Sequence, residues 1–156
     1  MRRPIISLLL ALAACGGGET TAPPDAEAGR PLVVLSEGGD DLVIEDGFAR
    51  PVAAGGNSAA YVTLRSDAAD VLTGVVSEAF DVAELHETSM ADGAMRMRPV
   101  ERIELPAGET VALAPGGRHL MLLNAREDLV EGGTVSLYLE FGSGRSVAFD
   151  LPVERR

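Results

Sequence analysis

The sequence predicts an all-β fold, a single antiparallel Greek-key β-sandwich or barrel behind a leader and a tether. Three observations lead to that expectation. Short aliphatic runs recur after Pro31, each bounded by Gly, Pro, Asn or Asp, and punctuation this regular marks short strands. One run, Thr134 to Phe141, alternates strictly, with Val135, Leu137, Leu139 and Phe141 on one face and Thr134, Ser136, Tyr138 and Glu140 on the other. Beyond the leader no stretch repeats its apolar residues at helical spacing, and only Ala125 to Leu129 could close a short helical turn.

The elements follow in order. Positions 1–14 read as a signal peptide of the bacterial lipoprotein type: Arg2 and Arg3 form a positive start, Ile5 to Ala14 is apolar, and Leu12-Ala13-Ala14-Cys15 ends it. The run is too short to span a bilayer as a mature helix. Cys15 is the one cysteine of the chain and stands where cleavage and lipidation need it. The folded part is then thiol-free, with no intrachain disulfide available even in an oxidising compartment. Residues 15–39 read as the lipidated Cys and a linker; Gly16 to Gly29 has no apolar period, and Pro23-Pro24 lends it polyproline stiffness.

Residues 40–156 form the domain, although Leu32 to Leu35 already reads as a first strand. Further strands are expected at Asp41–Phe48, Ala59–Arg65, Val71–Val76, Val82–Thr88, Met95–Met97, Thr110–Leu113, Arg118–Asn124, Thr134–Phe141 and Arg145–Val153. Gly55-Gly56-Asn57, Asp92-Gly93, Pro106-Ala107-Gly108, Pro115-Gly116-Gly117 and Glu131-Gly132-Gly133 separate several of them, and Gly142-Ser143-Gly144 marks the clearest hairpin. Loss of the leader leaves 142 of the 156 residues, enough for one core without covalent staples.

The charge is strongly acidic. Without Arg2 and Arg3 the mature part has 11 arginines and no lysine against 24 acids, a net charge of −13. That excludes nucleic acid as a natural partner and leaves the acyl anchor as the only contact with an anionic membrane.

Both histidines and four of the five methionines lie between His86 and Met121. Imidazole and thioether without thiolate is a donor set for Cu(I): soft neutral sulfur contributes little to Mg²⁺ or Ca²⁺ and adds little for Zn²⁺. His119 and Met121, two apart on a strand, leave one face roughly 6 to 7 Å apart along the backbone. His86 and Met97 would join them from two neighbouring strands. The dull alternatives are a hydrogen-bonded strand histidine for His86 and core packing for Met121, which sits in Leu120-Met121-Leu122-Leu123. Met90 and Met95 are candidate auxiliary metal ligands, and Arg96, Arg98 and Arg118 flank the site. Thioethers lose no proton on binding and hold copper less tightly than thiolates, which suits a carrier that must also release its ion.

The spacing His86, ten residues, Met97, twenty-one residues, His119, one residue, Met121 resembles that of the periplasmic copper chaperones called PCu(A)C, whose motif it meets at every position. Glu84-Leu85-His86-Glu87-Thr88, Met97-Arg98-Pro99-Val100, Leu105-Pro106-Ala107-Gly108 and Pro115-Gly116-Gly117-Arg118-His119-Leu120-Met121-Leu122 are similar as well, over about Leu42 to Val153. One departure is Arg65-Ser66, where the family often has an Asn. The resemblance implies a cupredoxin-like sandwich that binds Cu(I) through His86, Met97, His119 and Met121. It further implies delivery towards the CuA centre of cytochrome c oxidase, to an oxidase subunit or beside a Sco-type thiol protein; together with the lipidation signal at Cys15, the expectation is a lipid-anchored periplasmic monomer that is not an enzyme. A copper buffer or resistance lipoprotein without a delivery partner is the alternative. A blue-copper electron carrier is excluded because its centre needs a Cys thiolate.

Overall fold

A computed structural model describes residues 31–37 and 40–156, with side chains from 41 onward. The signal peptide, Cys15 and the Gly16 to Gly29 tether lie outside the described residues.

Eleven strands and no helix make up the described chain: β1 (Pro31–Glu37), β2 (Asp40–Ala49), β3 (Ser58–Ser66), β4 (Asp70–Val76), β5 (Phe80–Ala91), β6 (Ala94–Pro99), β7 (Ile103–Leu105), β8 (Thr110–Leu113), β9 (Arg118–Ala125), β10 (Thr134–Phe141) and β11 (Ser146–Pro152). They pair antiparallel into two sheets. The larger runs β1-β2-β3-β9-β5-β6, with β8 also on β3; the smaller runs β11-β10-β4-β7. β3 is shared along its length, Ser58 to Ala60 pairing with β9 and Val62 to Arg65 with β8.

The sandwich closes over the alternating apolar faces. Leu42, Ile44, Leu64, Leu120 and Leu122 of the large sheet are fully buried, as are Leu72, Leu137, Leu139 and Leu151 of the small one. Each such side chain contributes about 1.5–3 kcal/mol by leaving water. β10 buries every second residue, Val135, Leu137, Leu139 and Phe141, as its alternation demands. Its hairpin partner β11 returns across Gly144 at φ 88°, a backbone value that glycine adopts without strain.

Three differences from the sequence reading have physical causes. The strand expected at Leu32–Leu35 runs longer, as β1 from Pro31 to Glu37, because its whole length pairs with β2. Ala125 to Leu129 forms no helix: Leu129 exchanges hydrogen bonds with Val52 (2.8 and 3.0 Å), and this bridge takes the backbone groups a helical turn would use. β7 was too short for alternation to reveal; its Ile103 and Leu105 are buried on β4.

β5 also runs on to Ala91, past the expected Thr88, because β6 holds it. Asp92 (φ 53°) and Gly93 (φ 75°) close that hairpin with two left-handed residues, the geometry of a type I′ turn. β9 begins opposite Glu87, so the outer part of the β5–β6 hairpin projects beyond it as a two-stranded ribbon.

Candidate metal centre

The register of β6, β5 and β9 places the candidate side chains on one face. His86 stands directly opposite His119, Glu84 opposite Met121, and Thr88 opposite Met97. Directly paired residues share a face, and so do residues two apart on a strand. This is the outer face of the large sheet, since Leu85, Leu120 and Leu122 occupy the alternate positions and fill the core. The four candidate donors thus sit on three strands, β5, β6 and β9.

Each imidazole is held at one nitrogen and bare at the other. His86 Nε2 lies 2.8 Å from Glu84 Oε2. His119 Nδ1 lies 3.1 Å from the Gly117 carbonyl oxygen. Both partners are acceptors, so these nitrogens carry the protons and donate, and the tautomers are fixed. In the neutral imidazoles this leaves His86 Nδ1 and His119 Nε2 as the lone-pair atoms, and both are buried without a hydrogen-bond partner. His119 is only 2% exposed, and an unpaired polar atom at that depth costs about 1–3 kcal/mol. The two rings lie 5.8 Å apart, centroid to centroid, and Tyr61 covers His119 at 6.3 Å.

The thioethers complete the group. Met97, Met121, His119, Thr88 and Tyr61 line one cleft. His86 does not line it and adjoins it through the ring of His119. Met97 is 54% exposed and Met121 half-buried, so neither is an ordinary core residue. Among the described residues no three His, Cys, Asp or Glu converge where they could hold a metal. Two neutral nitrogens and two neutral sulfurs remain, a set that suits a soft monovalent d¹⁰ ion, because every donor is uncharged and the sulfurs are polarizable.

Met90 and Met95 share this face but sit farther out, facing each other near the hairpin tip. Arg98 and Arg118 occupy the opposite face, where both engage Glu87, at 3.1 and 3.7 Å. The supporting residues that sequence reasoning left without a role are Glu84 and the Gly117 carbonyl. The signal for Glu84 was present, since two residues before His86 means the same face.

Comparison with known proteins then bears on identity. A family model described as "Putative lipoprotein LpqE-like" matches residues 42–153. The chain belongs to the LpqE-like family. A relative named "Putative lipoprotein Lxx21020", from Leifsonia xyli subsp. xyli, is 35% identical to this LpqE-like chain over 85 residues, 54% of the chain and 51% of the relative. The chain thus spans about half the length of the curated relative it matches. Among solved structures, the apo PCuAC domain from PmoF1 aligns with a TM-score of 0.63 at 25% identity, covering 80% of this chain and 100% of that one. The solution structure of CuI-DR1885 from Deinococcus radiodurans aligns at 0.51 and 28% identity, covering 70% of this chain and 77% of that one. The cupredoxin-like sandwich expected from the PCu(A)C resemblance is therefore the fold of this LpqE-like chain.

Proposed function

We propose that this chain is an extracytoplasmic Cu(I)-binding chaperone, anchored in the bacterial membrane through Cys15, that delivers copper for assembly of the CuA centre of cytochrome c oxidase. Its ligands are His86, Met97, His119 and Met121. The observation that carries the reading is the pair of buried, bare imidazole nitrogens on the face that Met97 and Met121 share. Copper is the cargo, and binding it removes the desolvation cost of both lone pairs at once. The likeness to the structure of CuI-DR1885 supports Cu(I) as the ion, and the likeness to the apo PCuAC domain from PmoF1 supports the same type of domain.

The chain's own residues do three things. Glu84 and the Gly117 carbonyl hold the imidazole rings at one nitrogen each, leaving His86 Nδ1 and His119 Nε2 for the ion. Tyr61 and the sheet beneath shield His119 from water. Met97 stays half in solvent, where an acceptor, an oxidase subunit or a Sco-type thiol protein, can displace it first. A thiolate of the acceptor binds Cu(I) more tightly than a thioether and draws the ion forward. No catalytic group is required.

Deletion of the gene and growth in low copper test this reading. Cytochrome oxidase activity in membranes is expected to fall and to recover with added copper. Intact oxidase with heightened copper sensitivity would instead mark a buffering lipoprotein. Anaerobic titration that finds no Cu(I) affinity would end both readings.

A further inference from the structure

Met90 and Met95 stand in direct register across the β5–β6 ribbon, 68% and 70% exposed, beyond the start of β9. So exposed, they bury little apolar surface, and the Asp92-Gly93 turn already sets the hairpin register. What two such side chains offer at this position is their sulfur. Cβ atoms of a direct cross-strand pair lie about 4.5–5.5 Å apart, and Met97, two residues along β6 from Met95, is on the same face about 6–7 Å away. Methionine turns about three bonds, enough to bring three sulfurs onto one ion. Met97 also lines the cleft with His119 and Met121. Methionines therefore follow one another along this face from the ribbon tip to the cleft that His119 lines.

From this juxtaposition we infer that Met90, Met95 and Met97 form a second site, an all-thioether loading site for Cu(I) that passes the ion inward to the His86/His119 centre. The inference rests on the proposed Cu(I) function and adds the route by which the ion reaches that centre. Three neutral sulfurs discriminate against hard divalent cations and give a weaker, solvent-exposed site than one that adds imidazole nitrogen. The ion keeps its bond to Met97 while the Met90 and Met95 bonds are exchanged for His119, His86 and Met121. Each exchange swaps one dative bond for another; copper remains Cu(I), and the neutral imidazoles accept it at the nitrogens that carry no hydrogen bond. Arg96 and Arg98 do not oppose the cation on this face. By strand alternation they lie on the other side of the ribbon, where Arg98 is paired with Glu87.

The test uses the full-length chain in detergent with ¹³C-methyl methionine, titrated with Ag(I) as a redox-silent d¹⁰ probe and, anaerobically, with Cu(I). The first equivalent is expected to shift the Met97 and Met121 methyls as it settles at the inner centre, and further metal, held between Met90 and Met95 while Met97 is engaged inward, the methyls of that outer pair. M90L and M95L should each abolish the second uptake as fully as the double variant, because the pair acts on one ion. Each should also slow loading of the first site from a Cu(I)–chelator complex by about tenfold, the lower end of the loss when a metal site is deprived of a supporting group. Met90 and Met95 methyls that stay unmoved in excess metal, while Met97 and Met121 respond, would overturn the loading site and leave the chaperone reading intact. Independent, additive effects of the two leucine substitutions, or wild-type loading rates, would overturn it equally. No methyl response at any metal level would remove the chaperone reading as well.

Discussion

Replacing His119 by Leu separates a metal-binding histidine from a structural one, because the two roles predict opposite effects on the metal-free protein. The substitution removes the Nδ1–Gly117 hydrogen bond, worth about 0.5–1.5 kcal/mol. The Gly117 carbonyl is not orphaned, since it also accepts the Thr88 amide at 3.0 Å. Removal of the buried, unpartnered Nε2 returns about 1–3 kcal/mol. Leucine is near the imidazole in size, so the cavity contribution is small. The balance runs from ~0.5 kcal/mol destabilising to ~2.5 kcal/mol stabilising, whereas truncating an ordinary large core side chain costs about 2–5 kcal/mol. Copper acts the other way. At a free Cu(I) concentration 100 times Kd the wild type gains about 2.7 kcal/mol, or ~8 °C in Tm for a domain of this size, and the variant gains little. Anaerobic thermal melts with and without buffered Cu(I) measure both arms. A metal-free variant melting more than ~6 °C below the wild type, or one that keeps the copper shift, would show that Nε2 is not a bare donor.

Other expected outcomes follow from named contacts. Glu84→Gln leaves the fold intact, because that side chain is substantially exposed, yet weakens Cu(I) binding about 10–100-fold in chelator competition by loosening His86; unchanged affinity would deny Glu84 its orienting role. Met97→Leu changes stability by no more than ~0.5 kcal/mol, since Met97 is half in solvent, while X-ray absorption of the copper-loaded protein loses one sulfur neighbour; an unchanged sulfur shell would remove Met97 from the site. Asp70→Asn weakens a buried ion pair with Arg145 (2.8 Å, side chains 3% and 13% exposed) at a cost of about 3 kcal/mol near neutral pH. Desolvation pushes the Asp70 carboxyl up, but hydrogen bonds from Arg145, Ser143 and the Val71 amide outweigh it and hold the group below its ordinary 3.8. A depressed folded value means that this stability is fully present above pH 3.8 and is lost as pH falls through the folded pKa. The gap between wild type and Asp70→Asn in denaturant titrations should therefore close on acidification below pH 4, and a constant gap would contradict the linkage.

How far the sequence revealed this molecule depends on what each signal could carry. Strands with strict alternation, such as β10, were legible to the residue, because one face must be dry and the other wet. β7 was not, since three residues between breakers show no period; only its pairing with β4 gives Ile103 and Leu105 a partner. The extension of β5 to Ala91 was hidden for a related reason: Ser89-Met90-Ala91 has weak strand preference, and the hairpin itself holds it. At the site, residue types and spacing singled out the four candidate donors, and strand register brings them to one face. The unmet lone pairs were beyond sequence reasoning, because which nitrogen is tied down depends on where Glu84 and the Gly117 carbonyl stand in space.

The exposed outer strand β6 also bears on self-association. A free sheet margin offers its backbone to any passing extended chain, another copy of this one included. Here that margin is only six residues long, bears Arg96 and Arg98, and stops at Pro99, which has no amide proton to give. A second copy zipping onto β6 would bring like-charged arginines together and find the ladder interrupted. The strand that offers Met97 to solvent is thereby protected against forming fibrils.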